Sequence, residues 1–158
     1  MSDEPRVHIH ADKPTLASAV ASRFIAKVID LVDEFGEANV VLTGGTMGEA
    51  VMVAIRESPA AERVAWGRVN IWWGDERWLP SGDPERNETI ARRALLDHVP
   101  INPERVHAMP ASDAGLSLDD AAAQYAATIA AASPSHLALP PVAIVFLGVG
   151  PDGHVASL

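Results

Sequence analysis

The apolar positions of this chain fall into short runs separated by polar segments that contain glycine. Three of these runs, at 39–42, 68–73 and 142–147, have the length and composition of buried strands. A fourth segment, 6–10, alternates polar and apolar residues and predicts a short first strand. The last of the three runs is followed by a glycine-rich turn, which is typical of a strand that ends in a ligand-binding loop.

Helical periodicity fills the intervals between the predicted strands. Apolar residues recur every three to four positions from Leu16 to Phe35, which predicts one face of a long amphipathic helix. Asp12 or Thr15 can cap this helix, and Gly36 is a good stop. Further helices are predicted over 49–55, 87–96 and 118–132.

Strands and helices therefore alternate along the chain, and this order predicts an α/β fold with a parallel sheet covered by helices on both faces. Polar or glycine-rich loops begin at Thr43, Gly74 and Gly148, directly after the three main strands. The carboxyl ends of parallel strands share one edge of the sheet, so we expect these loops to meet in one crevice. The length of 158 residues fits one domain.

Composition narrows the class of function. The net charge of −9 opposes non-specific binding to nucleic acid, which requires a basic surface. The chain has no cysteine, which excludes disulfides and thiolate chemistry and favours the cytoplasm. It has no apolar run of about 18 residues and no signal-peptide pattern, so we expect no membrane partner. A monomer or weak homo-oligomer is expected.

The first loop, 43–48, joins a predicted strand to a predicted helix and contains three glycines. Backbone N–H groups at such a helix start can hold a phosphate. The loop lacks the Gly-Lys-Ser/Thr ending of a nucleotide-binding loop, which argues against an ATPase. A tight turn without a ligand is the alternative interpretation.

The second loop places three charged residues, Asp75, Glu76 and Arg77, just beyond a buried strand. Charged groups in that position are costly unless they are exposed or paired. Arg77 can bind a phosphate with its guanidinium fork, oriented by Asp75 or Glu76. A surface cluster of salt bridges is the alternative.

The third loop, 148–153, precedes His154, which can exchange a proton near neutral pH. The spacing Gly-x-Gly-x-x-Gly also matches the dinucleotide-binding fingerprint. Pro151 and Asp152 count against that interpretation, because they put rigidity and negative charge where a pyrophosphate would lie. The match is therefore weak evidence for a nicotinamide cofactor.

The other histidines form no metal-binding pattern. His8 and His10 share one face of the predicted first strand, but no third ligand follows at a useful spacing. His98, His107 and His136 have no companions at ligand spacing, so structural roles are expected for them.

Three segments resemble 6-phosphogluconolactonases in the order of that family. They are 43–46, 73–77 with the later Asn87, and 150–158, which reads Gly-Pro-Asp-Gly-His-Val-Ala-Ser-Leu. The first segment has low specificity and the other two have high specificity. Arg86 precedes Asn87 where the family commonly has serine, and this departure weakens the support that the motif gives to Asn87.

Glucosamine-6-phosphate deaminases share the Asp-Gly-His of this motif but differ on either side of it. They have Asp-Glu-Tyr where this chain has 75–77, and Ala-Phe-Asn-Glu in place of the segment that begins at Ala156. Both differences favour the lactonase. The resemblance implies a modified Rossmann-like fold, named for that deaminase and ribose-5-phosphate isomerase and shared with coenzyme A transferases. Residues 1–158 would then be roughly the N-terminal two-thirds of a longer family domain, incomplete at its C-terminus.

The resemblance implies hydrolysis of 6-phospho-D-glucono-1,5-lactone to 6-phospho-D-gluconate, the second step of the oxidative pentose phosphate pathway, without cofactor or metal. His154 is expected as the general base and Asp152 as the residue that orients it. A deaminase-like isomerase and a non-catalytic sensor of sugar phosphates are the alternatives. The expected substrate-binding residues are Gly44, Gly45, Thr46, Asp75, Arg77, Asn87, Gly150 and Gly153.

Overall fold

The computed structural model describes residues 5–135 and 137–158. These residues form four helices and three strands, joined by loops and short 3-10 turns. The helices are α1 (Lys13–Phe35), α2 (Gly45–Glu57), α3 (Asn87–Ala94) and α4 (Leu118–Ala132), and the strands are β1 (Ala38–Leu42), β2 (Val69–Trp73) and β3 (Ile144–Val145).

The three strands form one parallel sheet in the order β2-β1-β3. β1 pairs with β2 along its whole length, from Ala38 opposite Val69 to Leu42 opposite Trp73. Its other edge pairs with the shorter β3. The parallel arrangement predicted from the sequence is confirmed, and it brings the carboxyl ends of all three strands to one edge.

Helices lie on both faces of this sheet. Val40 and Ile71 point into the main hydrophobic core, which also contains Phe24 and Val28 of α1. Trp72 points to the opposite face, where its ring meets that of Tyr125 in α4 at a centroid distance of 6.4 Å. Alternate side chains of β2 therefore pack against different helix layers, as expected for an α/β sheet.

Helix α1 follows its sequence signals closely. The Asp12 side chain accepts a hydrogen bond of 2.8 Å from the Thr15 N–H, which satisfies one of the free donors of the first turn. Gly36 ends the helix in a left-handed conformation with φ of 79°, which a glycine adopts without steric cost. Phe35 was expected on the apolar face, but it is 65% exposed because the apolar stripe ends one turn earlier.

Two of the predicted strands are wrong in existence or extent. Residues 6–10 form no strand, and Val7 and Ile9 are exposed. A strand needs a neighbour for its backbone groups, and no strand of the described sheet pairs with this segment. The strand expected over 142–147 is reduced to β3, where Val145 is 52% exposed on the edge of the described sheet.

Helix α2 also begins earlier than expected. Its first residue is Gly45 rather than Glu49, so most of the glycine-rich segment belongs to the first helical turn. The free N–H groups of α2 therefore lie directly at the end of β1. None of the helices in the described residues is long and apolar enough to cross a membrane.

Candidate functional site

The loops after β1, β2 and β3 meet at one edge of the sheet, as the sequence predicted. The Gly74 N–H donates to the Leu42 carbonyl at 3.3 Å, and the Phe146 N–H donates to the Val41 carbonyl at 2.9 Å. These bonds continue the strand pairing as far as the first loop residues. Side chains from each loop therefore extend from neighbouring strand ends.

The start of helix α2 is open. Gly44 occupies the capping position, and no side chain among the described residues makes a capping hydrogen bond there. Gly45 follows with φ of 79°. The first N–H groups of a helix have no partner within it, and they carry the positive end of the helix dipole. Gly44, Gly45 and Thr46 thus form a turn whose backbone favours an anion.

Gly44 is held against the side chain of Asn87, at the start of α3. A Cβ atom at position 44 would lie 2.6 Å from the Cγ of Asn87 and closer still to its Oδ1. Only glycine permits this approach. The Asn87 Nδ2 donates to the Asp75 carbonyl oxygen at 3.0 Å. Asn87 therefore connects the first loop to the second, and the structure brings Gly44, Asp75 and Asn87 together.

The start of helix α3 is closed by a carboxylate. The Glu76 Oε1 accepts a hydrogen bond of 2.6 Å from the Asn87 N–H. The Glu76 Oε2 accepts one of 2.9 Å from the Glu88 N–H. Glu76 reaches this position from the loop after β2, so a remote side chain supplies the cap that Arg86, at the capping position, does not make.

Arg86 is buried completely beneath this cap. Its guanidinium donates to the carbonyl oxygens of Leu79 and Met109, at 3.2 and 2.9 Å, and to the Glu88 carboxylate at 3.1 Å. The Glu76 carboxylate lies 3.6 Å away. Arg86, which departs from the family motif, is therefore a buried cation that is paired with carboxylates.

Arg77 has the opposite environment. Its N–H donates to the Glu76 Oε1 at 2.9 Å, but the residue is exposed. Its guanidinium makes neither a hydrogen bond nor an ion pair with any residue that the structure describes. The predicted phosphate-binding arginine is thus anchored by its backbone, and its charge is available to a ligand.

His154 and Asp152 form a pair on the third loop. The imidazole Nδ1 makes a hydrogen bond to the Asp152 Oδ1. This bond lowers the pKa of the Asp152 carboxyl below its usual range. Because a carboxylate only accepts, the Nδ1 atom must donate, which leaves Nε2 of the neutral imidazole with a lone pair. The structure therefore brings these two predicted residues together and orients the imidazole.

The glycines of the third loop shape the turn around this histidine. A Cβ atom at Gly150 would overlap the His154 ring, so the ring lies directly on the glycine backbone. The Gly150 N–H donates to the His154 carbonyl at 2.9 Å, and the Gly153 N–H donates to the Gly150 carbonyl at 3.0 Å. Both amides are therefore engaged within the turn.

A hydrogen bond of 2.9 Å joins the third loop to the second, from the Ser157 Oγ to the Asp75 Oδ2. Ala156, just before this serine, has φ of 52°. This left-handed conformation costs about 1–2 kcal/mol in a residue other than glycine. The Asp75 carboxylate thus faces the loop of His154, while its backbone carbonyl holds Asn87.

The end of β2 is supported from α4. The Tyr125 hydroxyl accepts a hydrogen bond of 3.0 Å from the Trp73 N–H and donates one of 3.2 Å to the Trp73 carbonyl. Burial raises the pKa of Tyr125 above its usual value of 10.0. One protonated phenol therefore satisfies both backbone groups of the residue from which the second loop begins.

His98 and His107 lie outside this cluster. His107 stacks on Trp72 at a centroid distance of 3.9 Å, and the His98 Nε2 lies 2.9 Å from the Arg93 carbonyl. Both contacts agree with the expected structural roles, whereas His136 falls outside the described residues. Within 5–135 and 137–158, no three His, Asp or Glu side chains converge as metal ligands.

An apolar cavity of about 230 Å³ opens beside the first loop. It is lined mainly by apolar side chains of α1, α2 and residues 146–148. Its chemistry suits hydrocarbon rather than a phosphorylated sugar, so the polar cluster of the three loops remains the candidate site.

Sequence reasoning missed four residues of this cluster: Glu76 as a cap, Arg86 as its buried counter-charge, Ser157 and Tyr125. The charged run after a buried strand was the available signal for Glu76, since such a group must find a partner. The partners of Arg86 and Tyr125 are distant in the sequence, and no local periodicity reports them.

Comparison with known proteins supports the resemblance seen in the motifs. A family model described as glucosamine-6-phosphate isomerases/6-phosphogluconolactonase matches residues 11–158. The 6-phosphogluconolactonase of Streptomyces coelicolor is 51% identical over 162 residues, covering 100% of this chain and 62% of that protein. The chain therefore spans about 62% of the length of this curated relative.

Solved structures show the same fold. The 6-phosphogluconolactonase from Leishmania guyanensis matches with a TM-score of 0.78 and 28% identity, over 98% of this chain and 63% of that one. A monomeric glucosamine-6-phosphate deaminase matches with a TM-score of 0.75 and 20% identity, over 96% and 58% of the two chains. The latter likeness concerns the fold alone and confirms the architecture expected from the motifs.

Proposed function

The chain belongs to the family of glucosamine-6-phosphate isomerases and 6-phosphogluconolactonases, and from this we propose that it hydrolyses 6-phospho-D-glucono-1,5-lactone to 6-phospho-D-gluconate. The observation that carries the proposal is the pair of His154 and Asp152. This pair lies at the same sheet edge as the open start of α2 and the exposed Arg77. A proton acceptor and a phosphate site together match the two ends of that substrate.

In the proposed mechanism, His154 acts through Nε2. A water molecule attacks the lactone carbonyl carbon while Nε2 takes one of its protons. The negatively charged Asp152 stabilises the imidazolium that results, and it keeps Nδ1 engaged so that Nε2 faces the reaction. Collapse of the tetrahedral intermediate breaks the bond between the carbonyl carbon and the ring oxygen. The imidazolium then protonates that oxygen, and the acid formed ionises.

The phosphate would bind at the opposite end of the site. We assign it to the backbone N–H groups at the start of α2, from Gly44 to Thr46, and to the guanidinium of Arg77. Binding of the phosphate there fixes the position of the lactone carbonyl relative to His154, although the carbonyl itself lies far from the phosphate charge. Asp75 and Asn87 lie between the two ends, where they can orient the sugar hydroxyls.

Gly150 and Gly153 take a different part in this proposal. Their N–H groups are engaged within the turn, which argues against direct hydrogen bonds from these amides to the substrate. We propose instead that the absence of side chains lets the lactone approach the imidazole closely. No cofactor enters the proposed reaction, because the lactone is an activated ester and water supplies the nucleophile.

The proposed partner is a small phosphorylated sugar lactone, and the proposed location is the cytoplasm. The cysteine-free composition favours the location, and the acidic charge argues against nucleic acid as a partner. A monomer or weak homo-oligomer remains the proposed state.

The test is hydrolysis of freshly prepared 6-phosphogluconolactone, measured against its spontaneous rate. Wild-type protein is expected to exceed the background, and His154→Ala is expected to lose at least about a hundredfold of the enzymatic rate. His98→Ala serves as the matched control, because His98 lies outside the three loops. Wild-type activity in His154→Ala would refute the assigned base, and a background rate in the wild type would refute the lactonase proposal.

A further inference from the structure

We propose that Glu76 is a positioning residue of the substrate site. Its carboxylate closes the start of α3 and thereby sets the side chain of Asn87 against the glycine turn at the start of α2. The inference rests on the proposed function for its kinetic test, although its binding test does not require turnover.

The hydrogen bonds of the Glu76 carboxylate come from backbone N–H groups rather than from a charged side chain. Its Oε1 accepts from the N–H groups of Arg77 and Asn87, at 2.9 and 2.6 Å, and its Oε2 accepts from the Glu88 N–H at 2.9 Å. The side chain is 5% exposed, so water cannot readily replace these bonds. Three N–H groups from two segments thus share one buried carboxylate.

Neutralisation of the buried Arg86 does not account for these contacts. The closer carboxylate to its guanidinium belongs to Glu88, at 3.1 Å against 3.6 Å for Glu76. Two backbone carbonyls also accept from Arg86. Arg86 therefore has partners without Glu76, whereas the described residues supply no other side-chain cap for α3.

The position of Asn87 is transmitted to the first and second loops of the site. Its side chain contacts the Gly44 backbone closely and donates to the Asp75 carbonyl. A shift of the first turn of α3 would therefore move Asn87 away from Gly44 and release Asp75. The backbone of Arg77 would lose its anchor at the same time. The phosphate-binding groups are therefore the ones that depend most directly on Glu76.

The decisive variant is Glu76→Gln, with Glu88→Gln as its matched control. Glutamine keeps the size of the side chain, but its amide group must turn a donor toward N–H groups or toward Arg86. We expect a KM for 6-phosphogluconolactone that is between about tenfold and a hundredfold higher, with a smaller change in kcat. Glu88→Gln removes the shorter ion pair to Arg86 but none of the three bonds accepted by Glu76. It is expected to keep the wild-type KM.

Calorimetric binding of 6-phosphogluconate, and of inorganic phosphate as a minimal probe, gives a second measurement. Weaker binding in Glu76→Gln but not in Glu88→Gln supports the inference, even if the wild type proves inactive as a lactonase. Equal KM and affinity in wild type and Glu76→Gln would overturn it. Equal losses in both variants would also overturn it, because they would indicate that only the charge balance of Arg86 matters.

A second variant covers the case in which Glu76→Gln does not fold. Asn87→Ala leaves Glu76, Arg86 and the three backbone bonds in place, and removes only the side chain that contacts Gly44 and Asp75. We expect a weaker affinity for inorganic phosphate, which the proposed site binds through the start of α2 and Arg77 rather than through Asn87. Wild-type values in Asn87→Ala would show that the start of α3 does not position the site, which contradicts the inference.

Discussion

The starts of helices α2 and α3 lie at the same edge of the sheet, yet different groups satisfy them. Neither Gly44 nor Arg86, at the two capping positions, makes a side-chain capping bond. At α3 the carboxylate of Glu76 takes the free N–H groups. At α2 no side chain of the described residues does so.

In our proposal, the same local physics serves structure at one helix and binding at the other. Free N–H groups and the helix dipole favour an anion at both starts. The anion at α3 is part of the chain, and it holds Asn87 in place. The anion at α2 is, in our proposal, the phosphate of the substrate.

Gly44→Ala should have the largest effect on activity, because the two helix starts touch at this residue. The added methyl group would overlap the Asn87 side chain and force the two starts apart. We expect kcat/KM for the lactone to fall by about a hundredfold or more. Steady-state kinetics measure this fall.

Gly67→Ala is the control for that variant. Nothing lies within 4 Å of a Cβ atom at position 67, which is exposed. It is expected to keep wild-type kinetics. A Gly44→Ala protein with wild-type kcat/KM would show that contact between the two helix starts is not needed.

Thr46→Asp should make the two helix starts alike, because it gives the start of α2 a carboxylate that belongs to the chain. Affinity for inorganic phosphate and 6-phosphogluconate should fall about tenfold or more, since a carboxylate repels the phosphate. The free energy of unfolding should rise by about 0.3–1 kcal/mol, because a negative charge suits a helix N-terminus. Calorimetry and denaturant unfolding measure the two effects.

Thr46→Asn separates charge from size in this experiment. It matches aspartate in shape, so its loss of phosphate affinity is expected to be much smaller. Equal losses in the two variants would argue against an anion site at the start of α2.

Tyr125→Phe should test the contact between α4 and the end of β2, from which the second loop leads to the start of α3. It leaves the N–H and carbonyl groups of Trp73 without the hydroxyl that satisfies them. We expect the free energy of unfolding to fall by about 1–3 kcal/mol, measured in urea. Thr128→Val, which alters an exposed hydroxyl of the same helix, should cost much less. Similar losses would contradict a special role for Tyr125.

The smallest effect concerns His107, which lies beside β2 and away from both helix starts. Burial, together with the nearby charge of Arg105, lowers the pKa of His107 below its ordinary value of 6.5. The unfolded chain therefore binds a proton first as the pH falls below 6.5, and this contribution to stability is lost toward the folded pKa. Above pH 6.5 the contribution is fully present.

Thermal unfolding from about pH 8 to about pH 5 measures this dependence. His107→Phe keeps an aromatic ring against Trp72 without the titrating group. We expect its Tm to fall less than that of the wild type on acidification. Parallel pH profiles of the two proteins would exclude His107 as a source of acid sensitivity.

Local patterns predicted the parts of the fold that local physics controls. Helix α1 has its apolar stripe, its Asp12 cap and its Gly36 stop within one segment, and all three signals were confirmed except at Phe35. The short strand over 6–10 was wrong because alternation does not reveal whether a neighbouring strand exists. β3 is less buried than its apolar run suggested for the same reason, since burial depends on what lies beside the strand.

The candidate site also contains residues that could be located from the sequence and residues that could not. Glycine-rich turns, charged loop residues and His154 could be located from their place after apolar runs, because strand ends of a parallel sheet share an edge. The pairing of Asp152 with His154 was also accessible, since the two residues are neighbours in one turn. The roles of Glu76, Arg86 and Tyr125 were not, because their partners lie in other segments.

The amino-acid order was thus sufficient for the α/β class and for the positions of the three loops, because these depend on periodicity and residue type. It did not reveal which helix start is filled and which is open. That choice depends on where one buried carboxylate ends in space, and Glu76 reaches α3 rather than α2 only because the folded sheet brings those N–H groups within hydrogen-bond distance.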